Sequence, residues 1–145
     1  MGRLARQMRP PLLLDTCAVI WISNDQPIAS EAQETIQETL HAGELAFVSP
    51  ITAWEIGLLV SRGRVRLNMS PQLWFDRMLA APGIALANMS PAVLVASSFL
   101  PGNPPRDPAD RIIAATAREY GYRLITRDRP LLAYGEEGHL QVVSC

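Results

Sequence analysis

The sequence predicts an α/β fold built on a central, mainly parallel sheet. Two observations carry that expectation. Short apolar runs recur along the chain with helical segments between them, and several of those segments open with a capping side chain set immediately before a proline. The first pattern is that of strand–helix–strand units. The second marks helix starts, because a proline in the first turn sacrifices no intrahelical hydrogen bond.

In chain order, residues 1–10 carry Arg3, Arg6 and Arg9 and are expected to form a flexible basic extension. A first strand follows at Leu12–Leu14, a run that stops at Asp15 and is too short for the core of a signal peptide, so export is not expected. A helix over about 30–41 is suggested by Ser30 and Gln33, which resemble a capping box, with Gly43 as the stop. Leu45–Val48 reads as the second strand, and Ser49-Pro50 opens the next helix, which Ser61, Arg62, Gly63 and Arg64 interrupt. Ser70-Pro71 starts another helix, Ile84–Leu86 is the third strand, and Ser90-Pro91 starts a further helix. The stretch from Pro101 to Pro105 reads as a rigid loop before the Asp107-Pro108 helix start. Strands at Arg123–Thr126 and Leu140–Val143 complete the sheet, with a short helix from Pro130 between them.

With 145 residues, 48% hydrophobic and 19% charged, the chain has the size and balance of one domain able to bury a continuous core. No apolar run approaches the roughly 20 residues of a membrane-spanning helix. Cys17 and Cys145 stand near opposite ends of the sequence and suggest neither a disulfide framework nor a zinc site, which fits a cytoplasmic protein. Net charge is −1, so any contact with nucleic acid must be local. All 13 basic residues are arginine, which suits bidentate phosphate recognition but equally fits a compositional bias of the source genome.

Four acids stand out by position. Asp15 and Asp128 each lie just past the carboxyl end of an expected strand, where open parallel sheets form their ligand crevice. Each could also simply cap the helix that follows. Glu55 shares a helix face with Ile51, Leu58 and Leu59, and Asp110 shares one with Ile113 and Ala114. A carboxylate on an apolar face is costly unless a cation or donors compensate it. The blander readings are a Glu55 paired with Arg62 and an Asp110 acting in a capping box with Asp107, which is assigned mainly to capping. Clustered carboxylates are relieved at neutral pH by a hard cation, and oxygen-only donors select Mg²⁺ or Mn²⁺ over zinc or copper. His41 and His139 read as surface residues, and Trp54 and Trp74 as core.

At these acids, the segments 12–17 (LLLDTC), 49–56 (SPITAWEI), 107–114 (DPADRIIA) and 124–128 (LITRD) resemble the PIN domain, and in particular the VapC-type toxins of bacterial toxin–antitoxin pairs. All four occur in order across nearly the whole chain. The resemblance implies an α/β/α sandwich, metal-dependent endoribonuclease activity with Mg²⁺ or Mn²⁺, a homodimer, and inhibition by a small VapB-like antitoxin whose tail wraps the toxin. It makes Asp15, Glu55, Asp110 and Asp128 the metal-site acids and Thr16 and Thr126 their polar supports. The expected chemistry is attack on an RNA phosphate by a metal-activated water, with tRNA or rRNA as substrate. Arg106, Arg111, Arg127 and Arg129 adjoin these acids and are candidates to hold flanking phosphates; Arg62, Arg64 and Arg66 are a further RNA track or antitoxin contact. Many relatives carry a histidine shortly before the Asp-Pro segment, where this chain has Asn103, Pro104, Pro105 and Arg106, a departure that bears on substrate choice.

Competing readings have specific weaknesses. A phospho-acceptor receiver domain uses a lysine near its phosphoryl site, and this chain has none. A haloacid-dehalogenase-like phosphatase presents a second aspartate two residues after the first, where Cys17 stands. A PIN module that binds without cutting, or a nuclease of general RNA processing, shares the same motifs.

Overall fold

Five strands pair side by side, all parallel, in the order β3-β2-β1-β4-β5: β1 (Leu12–Leu14), β2 (Ala46–Val48), β3 (Ile84–Leu86), β4 (Arg123–Thr126) and β5 (Gln141–Ser144). The computed structural model describes residues 10–24 and 27–145, so the basic extension expected at residues 1–10 lies, apart from Pro10, outside the described residues. Between the strands run α1 (Thr16–Asn24), α2 (Ser30–His41), α3 (Pro50–Ser61), α4 (Pro71–Leu79), α5 (Pro91–Ala96), α6 (Pro108–Tyr120) and α7 (Arg129–Glu136). Among the described residues no helix is long and apolar enough to cross a membrane.

The two-residue period of β1 divides the core into layers. Leu12 and Leu14 face one side, with Val19 of α1, Ile36 of α2, Ile56 of α3 and Trp74 of α4. Leu13 faces the other, with Ile113 and Ala114 of α6 and Leu131 and Tyr134 of α7. Both faces are covered, so the strands read as unbroken apolar runs, as fully buried parallel strands do. The outcome is the expected α/β/α sandwich.

This winding reverses once. The first half steps from β1 to β2 to β3 with its helices on one face; the chain then returns across the sheet to β4, on the far side of β1, with α6 and α7 on the other face. Connections leave the carboxyl ends of β1 and β4 in opposite directions, and such a switch point opens a crevice above the sheet.

The local signals hold for most helix starts. Ser49 Oγ accepts from Ile51 N at 3.1 Å, Ser70 Oγ from Leu73 N at 3.2 Å, and Ser90 Oγ from Val93 N at 3.3 Å. Three details differ from the sequence expectation. The capping position of α2 is Ala29, with no side-chain cap bond, and Ser30 is already helical. β2 begins at Ala46 and β5 at Gln141, one residue later than the apolar runs suggested, because Leu45 and Leu140 lie just before the hydrogen-bonded ladder. Trp54, expected in the core, is 55% exposed, whereas Trp74 is buried. Nearly every position of α3 is apolar or small, so periodicity could not tell its inner face from its outer one.

Candidate active site

Asp15 follows β1 directly, and its backbone N–H extends the β1–β4 ladder by donating to Ile125 O at 3.0 Å. Its carboxylate is buried and held at both oxygens: Thr16 N donates to Oδ1 at 2.9 Å, and Thr126 Oγ1 donates to Oδ2 at 2.7 Å. The same Thr126 hydroxyl oxygen accepts from Asp128 N at 3.1 Å, so one side chain ties together the two acids that leave the switch point. Asp128 also caps α7, accepting from Leu131 N at 3.1 Å. Capping and site placement, weighed as alternatives in the sequence, are here performed by one residue. Asp15 likewise starts its helix, its carbonyl accepting from Ala18 and Val19 at 3.0 and 3.2 Å.

Glu55 and Asp110 reach the crevice from helices that pack against each other, α3 and α6. Asp107 accepts from Asp110 N at 3.0 Å and so caps α6, as expected. Asp15, Glu55, Asp110 and Asp128 line one open cleft of about 590 Å³, together with Thr16, Cys17, Ile20, Leu59, Arg127, Arg129 and Pro130. The sequence-derived acids are therefore brought together. Of the four candidate phosphate-binding arginines, Arg127 and Arg129 line the cleft, while Arg106 is exposed on the loop before α6. Arg111 instead donates to Ser97 O at 2.8 Å and Pro105 O at 3.0 Å, holding that loop against its helix.

Burial and mutual repulsion act on these acids in the same direction. Burial, then the charges of Asp15, Asp107 and Asp128, push Glu55 up to about 7. Burial, then Asp128, Asp107, Asp15 and Glu55, push Asp110 up to about 8. Asp15 is also raised, chiefly by burial, although the bonds from Thr126 and Thr16 favour its charged form. Among the described residues that line this cleft, two buried oxygens find no hydrogen-bond partner, Glu55 Oε1 and Thr16 Oγ1. Thr16 thus supports Asp15 through its backbone N–H, and its hydroxyl stays free.

Unsatisfied buried oxygens beside acids held away from their ordinary range are the signature of a site completed by a ligand. The donor set suits a hard divalent cation. Among the described residues no three acids already enclose a common point.

Sequence reasoning missed one contact. Cys17 and Cys145 are both free, yet the thiols meet, and Cys145 N donates to Thr126 O at 2.7 Å. The only signal was positional: Cys17 stands two residues after Asp15, and Cys145 directly follows β5, which pairs with β4. His139, expected at the surface, is half-buried, its ring 5.1 Å from that of Tyr134.

Residues 12–137 match the PIN domain family model, and the chain belongs to that family. It is 35% identical over 124 residues to ribonuclease VapC22 of Mycobacterium tuberculosis, covering 85% of this chain and 91% of that protein. Its fold is similar to that of VapBC2 from Rickettsia felis, solved bound to a DNA fragment from its promoter, with a TM-score of 0.62 at 17% identity over 92% of this chain and 97% of that one. It is also similar to FitAcB from Neisseria gonorrhoeae, with a TM-score of 0.55 at 22% identity over 90% of this chain and 95% of that one.

Two measurements probe this site. Since Glu55 and Asp110 have folded values near 7 and 8, above their ordinary 4.5 and 3.8, the folded state binds more protons than the unfolded state between those limits. Stability is full at the acidic side and is lost as pH rises through 7 and 8. After discounting for partial exposure, metal-free protein is expected to melt roughly 3–6 °C lower at pH 8.5 than at pH 5.5. A flat or rising melting temperature in calorimetry would show that the acids ionise freely into solvent. Thr126→Val removes the bond to Asp15 and the acceptor for Asp128 N with little change of volume. Metal affinity by titration calorimetry is expected to fall by about 10- to 100-fold in a folded protein, and unchanged affinity would remove Thr126 from the site.

Proposed function

We propose that this chain is a VapC-type, Mg²⁺- or Mn²⁺-dependent endoribonuclease that hydrolyses cellular RNA, tRNA or rRNA, in the cytoplasm. The observation that carries this reading is the cleft at the β1–β4 switch point, lined by Asp15, Glu55, Asp110 and Asp128 with the orphaned oxygen of Glu55 among them. Similarity to a protein named as a ribonuclease supports the same reaction class. A divalent cation bound by these acids would neutralise their repulsion, activate a water and stabilise charge on the phosphate under attack.

The protein's own groups supply position. Thr126 and the backbone of Thr16 lock Asp15, so its carboxylate needs no reorganisation when substrate binds. Arg127 and Arg129, on the rim beside Asp128, are placed to hold the phosphates flanking the scissile one. Arg111 positions the loop before α6 rather than the substrate, and Arg106 stays outside the cleft in this reading.

The partner is a VapB-like antitoxin, a reading supported by the fold's likeness to VapBC and FitAB assemblies. Exposed Trp54 on α3 and Leu73 on α4, two helices in contact, supply apolar area for it. A second exposed patch, Val95 on α5 with Phe99 just beyond it, at 62% and 80% exposure, supports a homodimer.

Purified, antitoxin-free protein is expected to cut a mixed tRNA and rRNA pool into discrete fragments with Mg²⁺ or Mn²⁺. EDTA should abolish cleavage, and Asp15→Asn or Asp110→Asn should reduce its rate by about 100-fold or more. Absence of metal-dependent cleavage by demonstrably folded protein would leave a module that binds without cutting. In sedimentation equilibrium the chain is expected to run as a dimer, and Phe99→Glu with Val95→Glu to run as a monomer. A wild-type monomer at micromolar concentration would refute that pairing.

A further inference from the structure

A second groove, of about 450 Å³, opens beside the four-acid cleft and shares Cys17, Ile20 and Arg127 with it as a common wall. Its other side carries Arg64 and Arg66, and among the described residues no acid lines it. Neither arginine makes an ion pair with a described residue, and both are exposed, so two guanidinium groups face solvent in the groove next to the cleft.

The segment that carries them is anchored. α3 ends at Ser61, Gly63 turns the chain with φ of 69°, and the N–H groups of Arg64 and Val65 both donate to Leu59 O, at 2.9 and 3.3 Å. Leu59 itself lines the four-acid cleft, and Leu67 packs on the core. The two arginines are thus held in register with the helix that carries Glu55. Arg127, at the corner between groove and cleft, donates to Pro27 O at 3.5 Å.

We propose that Arg64 and Arg66 form a phosphate track that leads a single strand of RNA past Arg127 into the four-acid cleft. The inference rests on the ribonuclease reading and names how that site takes its substrate. The electrostatic reason is direct: a cleft lined by four acids offers a polyanion little attraction of its own, and a chain of net charge −1 supplies none overall. Fixed guanidinium groups along one approach supply the attraction locally. Both cavities fall in the size range of small-ligand pockets, room for about one or two nucleotides of an extended strand each.

The test compares wild-type protein, Arg64→Ala/Arg66→Ala and Arg64→Lys/Arg66→Lys. Anisotropy of a labelled RNA single strand of about 12 nucleotides is followed in EDTA over a range of salt, and cleavage of the same strand is followed with Mg²⁺. For the alanine pair, Kd and KM are expected to rise about tenfold with kcat changing less than about twofold. Its log Kd–log salt slope is expected to fall by about 1.4, the contribution of two phosphates on a single strand. The lysine pair, which keeps the charge, is expected to restore most of the slope and to show that loss in the alanine pair is not a folding defect. If wild type cleaves and the alanine pair matches it in Kd, slope and KM, the track is wrong while the ribonuclease reading stands, and the arginines belong to an acidic protein partner. If wild type neither binds nor cleaves RNA, both fall together.

Discussion

The Thr126 hydroxyl donates to Asp15 across the seam between β1 and β4, a 2.7 Å bond between residues 111 apart in sequence, and accepts from the backbone of Asp128. Both acids sit at that seam because β1 and β4 are neighbours in the sheet while their following helices depart to opposite faces. The topology opens the crevice, and one buried threonine then fixes the geometry of its floor. α3 and α6 bring Glu55 and Asp110 over it from the sides.

This arrangement opposes stability to function. A protein selected only for stability would not gather four carboxylates in a cleft where burial and mutual charge hold two of them near 7 and 8. The cost is local, because the layers beneath are conventional: the central strand β1 is buried on both faces, and the N-caps of α3 to α7 are satisfied by side chains. A parallel sheet thus carries, at its carboxyl edge, a cleft whose acids are costly to keep together.

The charge of the molecule is divided in space rather than in sequence. Scattered along the chain, the four acids collect in one cleft with Arg127 and Arg129 at its wall, while Arg64 and Arg66 join Arg127 in the groove beside it. A near-neutral net charge therefore conceals a negative centre with a positive approach. Apolar side chains are also left exposed, Trp54 on α3 and Leu73 on α4, and Val95 on α5 with Phe99 just beyond it.

The sequence by itself located the five strands and every helix but α1, and singled out the four acids that the fold brings to one cleft. Strands buried on both faces must be short unbroken apolar runs, Ser-Pro and Asp-Pro pairs announce helix starts through local hydrogen bonding, and a carboxylate just past a strand or on an apolar helix face conflicts with its surroundings unless it has work to do. Those signals are local, so they survive without the fold. Only the tertiary structure decided that Cys17 meets Cys145, that Trp54 faces outward, that Arg111 serves a loop while Arg127 and Arg129 reach the cleft, and that Arg64 and Arg66 line the groove beside it. Each of those depends on which strand lies beside which and where each helix turns, set by packing between segments far apart in sequence, and neither spacing nor residue type encodes it.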